Sequence, residues 1–367
     1  LVMRTSNKAG NQLMKIDPLS GRSTVWIDQI PGGDQFVISP DKRSIYLYED
    51  VEGPEKDKLL IRRLSPDDRQ PGARDRQELY RYDIATGIYA PVLYGHRSTS
   101  LFDISSDGRQ LLLGLGTQDW QHSPFDQTTV LRYTPETGRI DTVFSKQFEI
   151  ASAYFIPGTE DVLVMGSPNS FGGVGNTLPN GRVGNGYEHE LFRIHIPTGH
   201  VTPLTRDFDP SIDQIEYHAK GKAFYLLASN GSRQSLYRLD IKTNKITQLD
   251  TKEDVVRGFG VANNGNTFYY FGQSLNNSDR LYSLEPSGKS KLVWDLSAEN
   301  LRGVKFTPGK DFVYRTPDGV DIDGWYYLPP NFDPSKKYPM VVYYYGGTIP
   351  LDRVLDTTWR CSPLRAM

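Results

Sequence analysis

The chain has 367 residues, enough for two domains or one large one, and a formal net charge of −2. That balance offers no basic face to nucleic acid or anionic lipid, and no apolar run approaches the roughly 18 residues a membrane helix needs. The single cysteine, Cys361, excludes an internal disulfide and a cysteine-built metal site. With 22 tyrosines, 34 glycines and 24 prolines, the composition favours many short strands joined by tight turns.

In chain order two phrases alternate. The first is LMKIDPLSG from Leu13, then LYRYDIATG from Leu79, VLRYTPETG from Val130, LFRIHIPTG from Leu191 and LYRLDIKTN from Leu236, with a shortened LYSLEPSG from Leu281. Each is an alternating strand that breaks at a polar turn ending in Gly or Asn, the residues that accept positive φ. The second phrase is FVISPDKRSIYLY from Phe36, FDISSDGRQLLLGL from Phe102 and YFIPGTEDVLVMG from Tyr154. It continues as IEYHAKGKAFYLLA from Ile215, FGVANNGNTFYYFG from Phe259 and VKFTPGKDFVYR from Val304. This is strand, turn and strand, with Asp, Asn, Gly and Pro at the turn. Together the phrases make four antiparallel strands in about 45 residues, the period of a β-propeller blade. A β-sandwich does not repeat one phrase six times at this period.

The expected class is therefore all-β, a propeller with five complete blades at about 36–93, 102–145, 153–205, 215–250 and 259–295. Two half-blades flank them, an outer half at 13–27 and an inner half at 304–315. These either clasp into a closed six-bladed ring or belong to a parent ring of about seven or eight blades. The propeller domain spans 1–315 and begins inside a blade; a different domain begins at 316.

Two insertions, 51–76 and 167–188, fall between the second and third strands of their blades and so emerge from one face. Long loops on a rigid scaffold carry recognition, which makes Arg182, Tyr187 and Glu188 candidate substrate contacts. The six histidines show no metal-like spacing, and His195 and His218 read as satisfied polar groups. No metal or cofactor is expected. Asn230 and Asn276 match the glycosylation pattern but read first as turn residues.

After Tyr314 the character changes. Pro317-Asp318-Gly319 marks a hairpin turn, an alternating strand runs through Tyr327, and a Pro-rich bend at Leu328–Pro330 leads into "KKYPMVVYYYGG". The apolar run from Met340 to Tyr345 reads as a strand covered on both faces.

A propeller followed by "DG…GW…P…F…KKYP…VVYYYGG" resembles the prolyl oligopeptidase superfamily of serine peptidases, closest to its dipeptidyl peptidase IV-like branch. The resemblance implies a propeller that caps an α/β-hydrolase domain and filters peptide access to it. It also implies that Tyr345 is an oxyanion-hole donor, with Gly346 and Gly347 forming the turn beyond it. A fixed O–H aimed at the developing oxyanion lowers the barrier to acyl transfer by about 3 to 4 kcal/mol. The family's nucleophile lies in Gly-x-Ser-x-Gly, followed by Asp and His; no such pattern follows Gly347. The remaining "TIPLDRVLDTTWRCSPLRAM" is too short for a parallel sheet with crossover helices, so the resemblance reads 316–367 as a truncated hydrolase domain and the fragment as inactive. It further implies a peptide substrate, a periplasmic or secreted parent, and dimerisation through the hydrolase domain. The branch also uses paired glutamates to grip a substrate amino terminus; the nearest sequence candidate, Glu49-Asp50, matches poorly and reads as a solvated strand end. A non-enzymatic six-bladed binding or assembly module is the alternative.

Overall fold

The computed structural model describes all residues except 8–9, 33–34, 54–71, 96, 120–121, 123, 179–187, 263–266, 286–287, 297, 299–301, 304–306, 343, 345–350, 352, 354 and 356–367. The chain divides into two compact units, Leu1–Arg206 and Asp207–Met367.

The first unit opens with a three-stranded sheet, β1 (Val2–Asn7), β2 (Gly10–Ile16) and β3 (Ser23–Ile27), in that order. Three four-stranded antiparallel blades follow. Blade one is β4 (Phe36–Ile38), β5 (Ser44–Val51), β6 (Arg76–Asp83) and β7 (Tyr89–Pro91). Blade two is β8 (Thr99–Ile104), β9 (Leu111–Gln118), β10 (Asp126–Thr134) and β11 (Arg139–Gln147). Blade three is β12 (Ile150–Phe155), β13 (Asp161–Gly166), β14 (Glu190–His195) and β15 (His200–Pro203), with one short helical turn, α1 (Ser170–Gly173), inserted after β13.

In the second unit, blade four is β16 (Ser211–His218), β17 (Ala223–Asn230), β18 (Arg233–Asp240) and β19 (Lys245–Gln248). Blade five is β20 (Val255–Val261), β21 (Phe268–Ser274), β22 (Asn277–Leu284) and β23 (Ser290–Asp295). A single parallel bridge, Gln234 to Val255, joins these two blades into one eight-stranded sheet. A separate hairpin follows, β24 (Lys310–Arg315) with β25 (Asp321–Tyr326). The five blades are those the repeats predict.

Two ends differ from expectation. The N-terminal sheet has a third strand, β1, that the phrase at 13–27 does not announce. At the other end, the opening strand of the phrase at 304–315 lies outside the described residues, and its second strand, β24, pairs with β25 across Thr316–Val320.

The turns explain the repeated Thr-Gly. Gly87, Gly138 and Gly199 adopt φ of +72°, +69° and +69°, and Asn244 takes +57° at the equivalent position. In the glycine turns the glycine N–H closes onto the carbonyl four residues back, as Gly87 does to Asp83 at 2.8 Å. A β-branched residue there would carry the left-handed penalty.

The core lies between blades. Strand side chains alternate, so the second strands of blades one and two each serve two neighbours. Ile45 and Leu47 pack with Leu13 and Ile27 of the N-terminal sheet, while Tyr46 between them packs with Leu111 and Leu113 of blade two. Leu112 faces the other way, onto Val162, Val164 and Phe192 of blade three. In the second unit Tyr225 and Leu227 pack with Phe268 and Tyr270. Each such fully buried side chain contributes about 1.5 to 3 kcal/mol.

Polar ties cross the same seams. The Leu101 N–H donates to the Tyr48 hydroxyl at 2.9 Å, joining blades one and two. Asp103 accepts from the N–H groups of Phe155 and Ile104, both at 2.8 Å, and the first of these joins blades two and three. Burial pushes the Asp103 carboxyl up to about 6, against the two N–H donors that hold it down. A carboxyl with a raised folded-state pKa binds its proton more tightly when folded, so stability rises as pH falls through about 6 and levels off below 3.8. Thermal melts across that window should show this rise for the natural chain and a flatter profile for Asp103→Asn.

Candidate functional site

The sequence points first to the segment entering Tyr-Gly-Gly. Its approach is an amphipathic hairpin. One face of β24–β25 carries Phe312, Tyr314, Ile322 and Tyr326, all substantially exposed. The other carries Asp311, Val313, Asp323 and Trp325, and it is clasped by Arg353. The Arg353 guanidinium is 2 % exposed, ion-pairs with Asp311, lies 3.5 Å from Asp254 Oδ2 and stacks 5.4 Å from the Trp325 ring. Ser232 Oγ donates to Asp323 at 2.9 Å, and the Tyr327 hydroxyl donates to the Leu275 carbonyl at 3.1 Å, fixing the hairpin against blades four and five.

Beyond the hairpin, the Asp333 N–H donates to the Tyr338 hydroxyl at 3.0 Å, and Phe332 packs on the Tyr338 ring. The run that follows departs from expectation. Met340, Val341, Val342 and Tyr344 are 84, 58, 66 and 88 % exposed and lie outside any strand. Apolar side chains form a doubly covered strand only where neighbouring strands pair with them, and no strand among the described residues does so here. Tyr345, Gly346 and Gly347 lie outside the described residues.

The second candidate is the insertion in blade three. Arg182 and Tyr187 lie outside the described residues, and Glu188 is exposed. The root of the loop is firmly built. Phe171, held at φ +55°, wedges its ring between Phe144 and Phe192, 5.0 Å from each. Its N–H donates to Gln147 Oε1 at 2.8 Å, and Ser170 Oγ donates to the Phe148 carbonyl at 2.5 Å. Both insertions connect second to third strands, as the repeat analysis requires.

The other insertion, between β5 and β6, is flanked by a cluster around Glu49, which is half-buried and hydrogen-bonded where the sequence reads a solvated strand end. Glu49 does not act with Asp50. Successive strand residues face opposite ways, and Asp50 instead accepts from Gln77 Nε2 at 3.2 Å. Glu49 stands opposite Glu78 in the β5–β6 register. The Tyr89 hydroxyl donates to Glu49 Oε1 at 2.5 Å, the Tyr80 hydroxyl reaches Glu78 Oε2 at 3.4 Å, and the two rings stack 4.7 Å apart. Arg76 Nε donates to Glu78 Oε1 at 2.8 Å. Burial raises both phenols; the hydrogen bond to Glu49 adds to the rise at Tyr89, and the charges of Glu78 and Glu49 add to it at Tyr80. Two half-buried carboxylates opposite one another, with Arg76 already paired to Glu78, leave this cluster one negative charge in excess beside two aromatic rings. The alternation of Glu78 and Tyr80 in "QELYRYD" is its only sequence signal, because the strand pairing spans the insertion.

His195 and His218 are satisfied, as read. His195 Nδ1 lies 2.7 Å from Asp161 Oδ1, and Asp161 also pairs with Arg193. Against burial, hydrogen bonds from His195 and Arg193 hold the Asp161 carboxyl below its usual range. His218 is buried, accepts from the Gly221 N–H at 3.1 Å and meets Phe268 edge-on.

Five blades and a hairpin define a protein of the β-propeller class. No family model matches the chain. It is 31 % identical over 170 residues to dipeptidyl-peptidase 5 of Porphyromonas gingivalis, a match covering 44 % of this chain and 24 % of that protein. In fold it is similar to the Pyrococcus horikoshii acylaminoacyl peptidase, with a TM-score of 0.64 at 15 % identity, covering 92 % of this chain and 49 % of that one. It is also similar to a putative dipeptidyl aminopeptidase IV from Bacteroides ovatus, with a TM-score of 0.59 at 13 % identity, covering 94 and 58 %. The chain thus spans about half the length of these solved structures. The resemblance to prolyl oligopeptidase-type serine peptidases of the dipeptidyl peptidase IV-like branch is borne out. Among the described residues no helix is long and apolar enough to cross a membrane.

The Arg353 clasp is testable. Replacing the buried guanidinium leaves Arg233 as the one described cation still paired with both Asp254 and Asp311, so Arg353→Met should cost about 1 to 2 kcal/mol. Amide exchange should accelerate across 310–326 while β13 and β17 keep their protection.

Proposed function

We propose that the chain is the propeller portion of a serine peptidase of this family, gating peptide access to a hydrolase active site, with residues 316–367 forming the entrance to that hydrolase domain. The observation that carries the reading is the succession of five blades, the β24–β25 hairpin and the Tyr-Gly-Gly motif in one chain whose sequence is 31 % identical in part to a dipeptidyl-peptidase. Tyr345 is the oxyanion donor in this reading and Gly346–Gly347 its turn. The blade-three loop bearing Arg182, Tyr187 and Glu188 faces the peptide. The exposed aromatic face of β24–β25 and the exposed side chains of Met340, Val341, Val342 and Tyr344 are surfaces for the hydrolase domain to cover. The parent acts in the periplasm or outside the cell.

Glu49 and Glu78 supply the charge that holds a protonated peptide amino terminus. Glu49→Gln or Glu78→Gln should weaken binding of a free-amine peptide about tenfold and leave its N-acetylated form unchanged. Equal binding of the two forms by the natural chain would remove that role.

The reading frame and the chemistry test the whole. A Gly-x-Ser-x-Gly should be encoded roughly 60 to 120 residues beyond Met367. The 367-residue chain itself should neither hydrolyse aminoacyl-proline amides nor take up a fluorophosphonate label. A stop codon with no downstream motif favours the non-enzymatic binding module, and labelling of the chain would place the nucleophile within it.

A further inference from the structure

Two acidic residues occupy one position of the repeat, and the peptidase reading uses neither. Asp103 is the second residue of FDISSDGRQLLLGL and Glu216 the second of IEYHAKGKAFYLLA. In the strand register they stand opposite Leu112 and Tyr225, which are equivalent residues of the two phrases. In blades one and five the same position holds Val37 and Gly260. Both carboxyls are half-buried on the first strand of a blade, and each lies beside the first strand of the next blade in its own unit.

Each is tied to the seam it faces. Asp103 Oδ2 accepts from the Phe155 N–H of blade three at 2.8 Å. Glu216 Oε1 accepts from Gln214 Nε2 at 3.3 Å, and the same amide donates to the Phe259 carbonyl of blade five at 3.2 Å. Neither carboxyl forms an ion pair among the described residues. Around Asp103, β9 carries no titratable residue and β12 only Tyr154; on β6, beside Tyr80 and Tyr82, Glu78 pairs with Arg76 and Asp83 with Arg81. Around Glu216, β17 brings Tyr225 and β20 brings Arg257, while β16 itself adds Asp213, Tyr217 and His218. Burial raises both carboxyls above their usual range against the hydrogen bonds that hold them down, and no charged group contributes to either rise.

We propose that these two seams are acid-locked: a neutral carboxyl closes each one, and its ionisation lets the two facing first strands part locally until water reaches the charge. A carboxylate held in a seam without a cation gives up hydration that the closed state does not replace, and local parting restores it. The sign follows from linkage. Opening returns Asp103 to an ordinary carboxyl, so its seam opens more readily as pH climbs from 3.8 to about 6 and changes little above that. Blades that carry valine or glycine at this position have no such response. The proposal does not depend on the peptidase reading.

The test is amide exchange of the full chain at pH 5 and pH 8, with each rate corrected for the intrinsic effect of pH. Opening at the Phe155 amide should increase about tenfold between the two. Amides of β16 and β20 should also exchange faster at pH 8, while those of the third strands β10 and β18 change less. Asp103→Asn should abolish the increase at Phe155 and leave the one at β16 and β20, and Glu216→Gln should do the reverse. The contrast between first and third strands in the natural chain decides the matter whether or not either variant folds. An equal increase in all strands would overturn the proposal, as would an unchanged Phe155 rate or a pH response at Phe155 that survives Asp103→Asn.

Discussion

In every blade but the fifth the second strand is buried on both faces almost along its whole central length, and that constraint organises everything else. Alternation gives such a strand two audiences: Tyr46 looks to one neighbouring blade while Ile45 and Leu47 look to the other, and Leu112 reverses the direction of Leu111 and Leu113. No blade within a unit can therefore bury its core alone. Turns, insertions and ion pairs are placed where they leave that interleaving undisturbed, which is why both long insertions sit beyond strand ends.

The fold was legible because its physics is local. A period of two, a glycine or asparagine with positive φ at each outer turn and a fixed spacing between phrases are all properties of neighbouring residues. They yielded five blades with nearly correct limits. The strand β1 escaped because "VMRTSN" is half polar and belongs to neither phrase; it is recruited by pairing with β2 rather than by its own pattern. The apolar run from Met340 to Tyr345 failed in the opposite sense over its described residues. Its pattern announces a buried strand, but burial is a property of partners, and the described residues provide none.

The candidate site was less legible for the same reason. Glu49 and Glu78 are 29 positions apart and meet only through a register that an insertion of variable length could have set otherwise. Arg353 lies 121 residues from the Ser232 hydroxyl it approaches, and nothing in "LDRVL" marks it as buried. Charge clusters of this kind are specified by three-dimensional convergence, whereas motifs such as Tyr-Gly-Gly are specified by contiguous chemistry. The sequence consequently spoke more clearly about kinship than about geometry.

The Gln234–Val255 bridge has a mechanical consequence. It makes the connection between blades four and five part of a continuous hydrogen-bonded fabric, reinforced by the Gln234 N–H donating to the Asp254 carbonyl at 3.1 Å. Tension on this half of the molecule has no slack joint to open at residues 249–254, so the two blades yield as one element. An engineer seeking a permissive place to graft a foreign domain would do poorly there, however short and polar that connection looks in print.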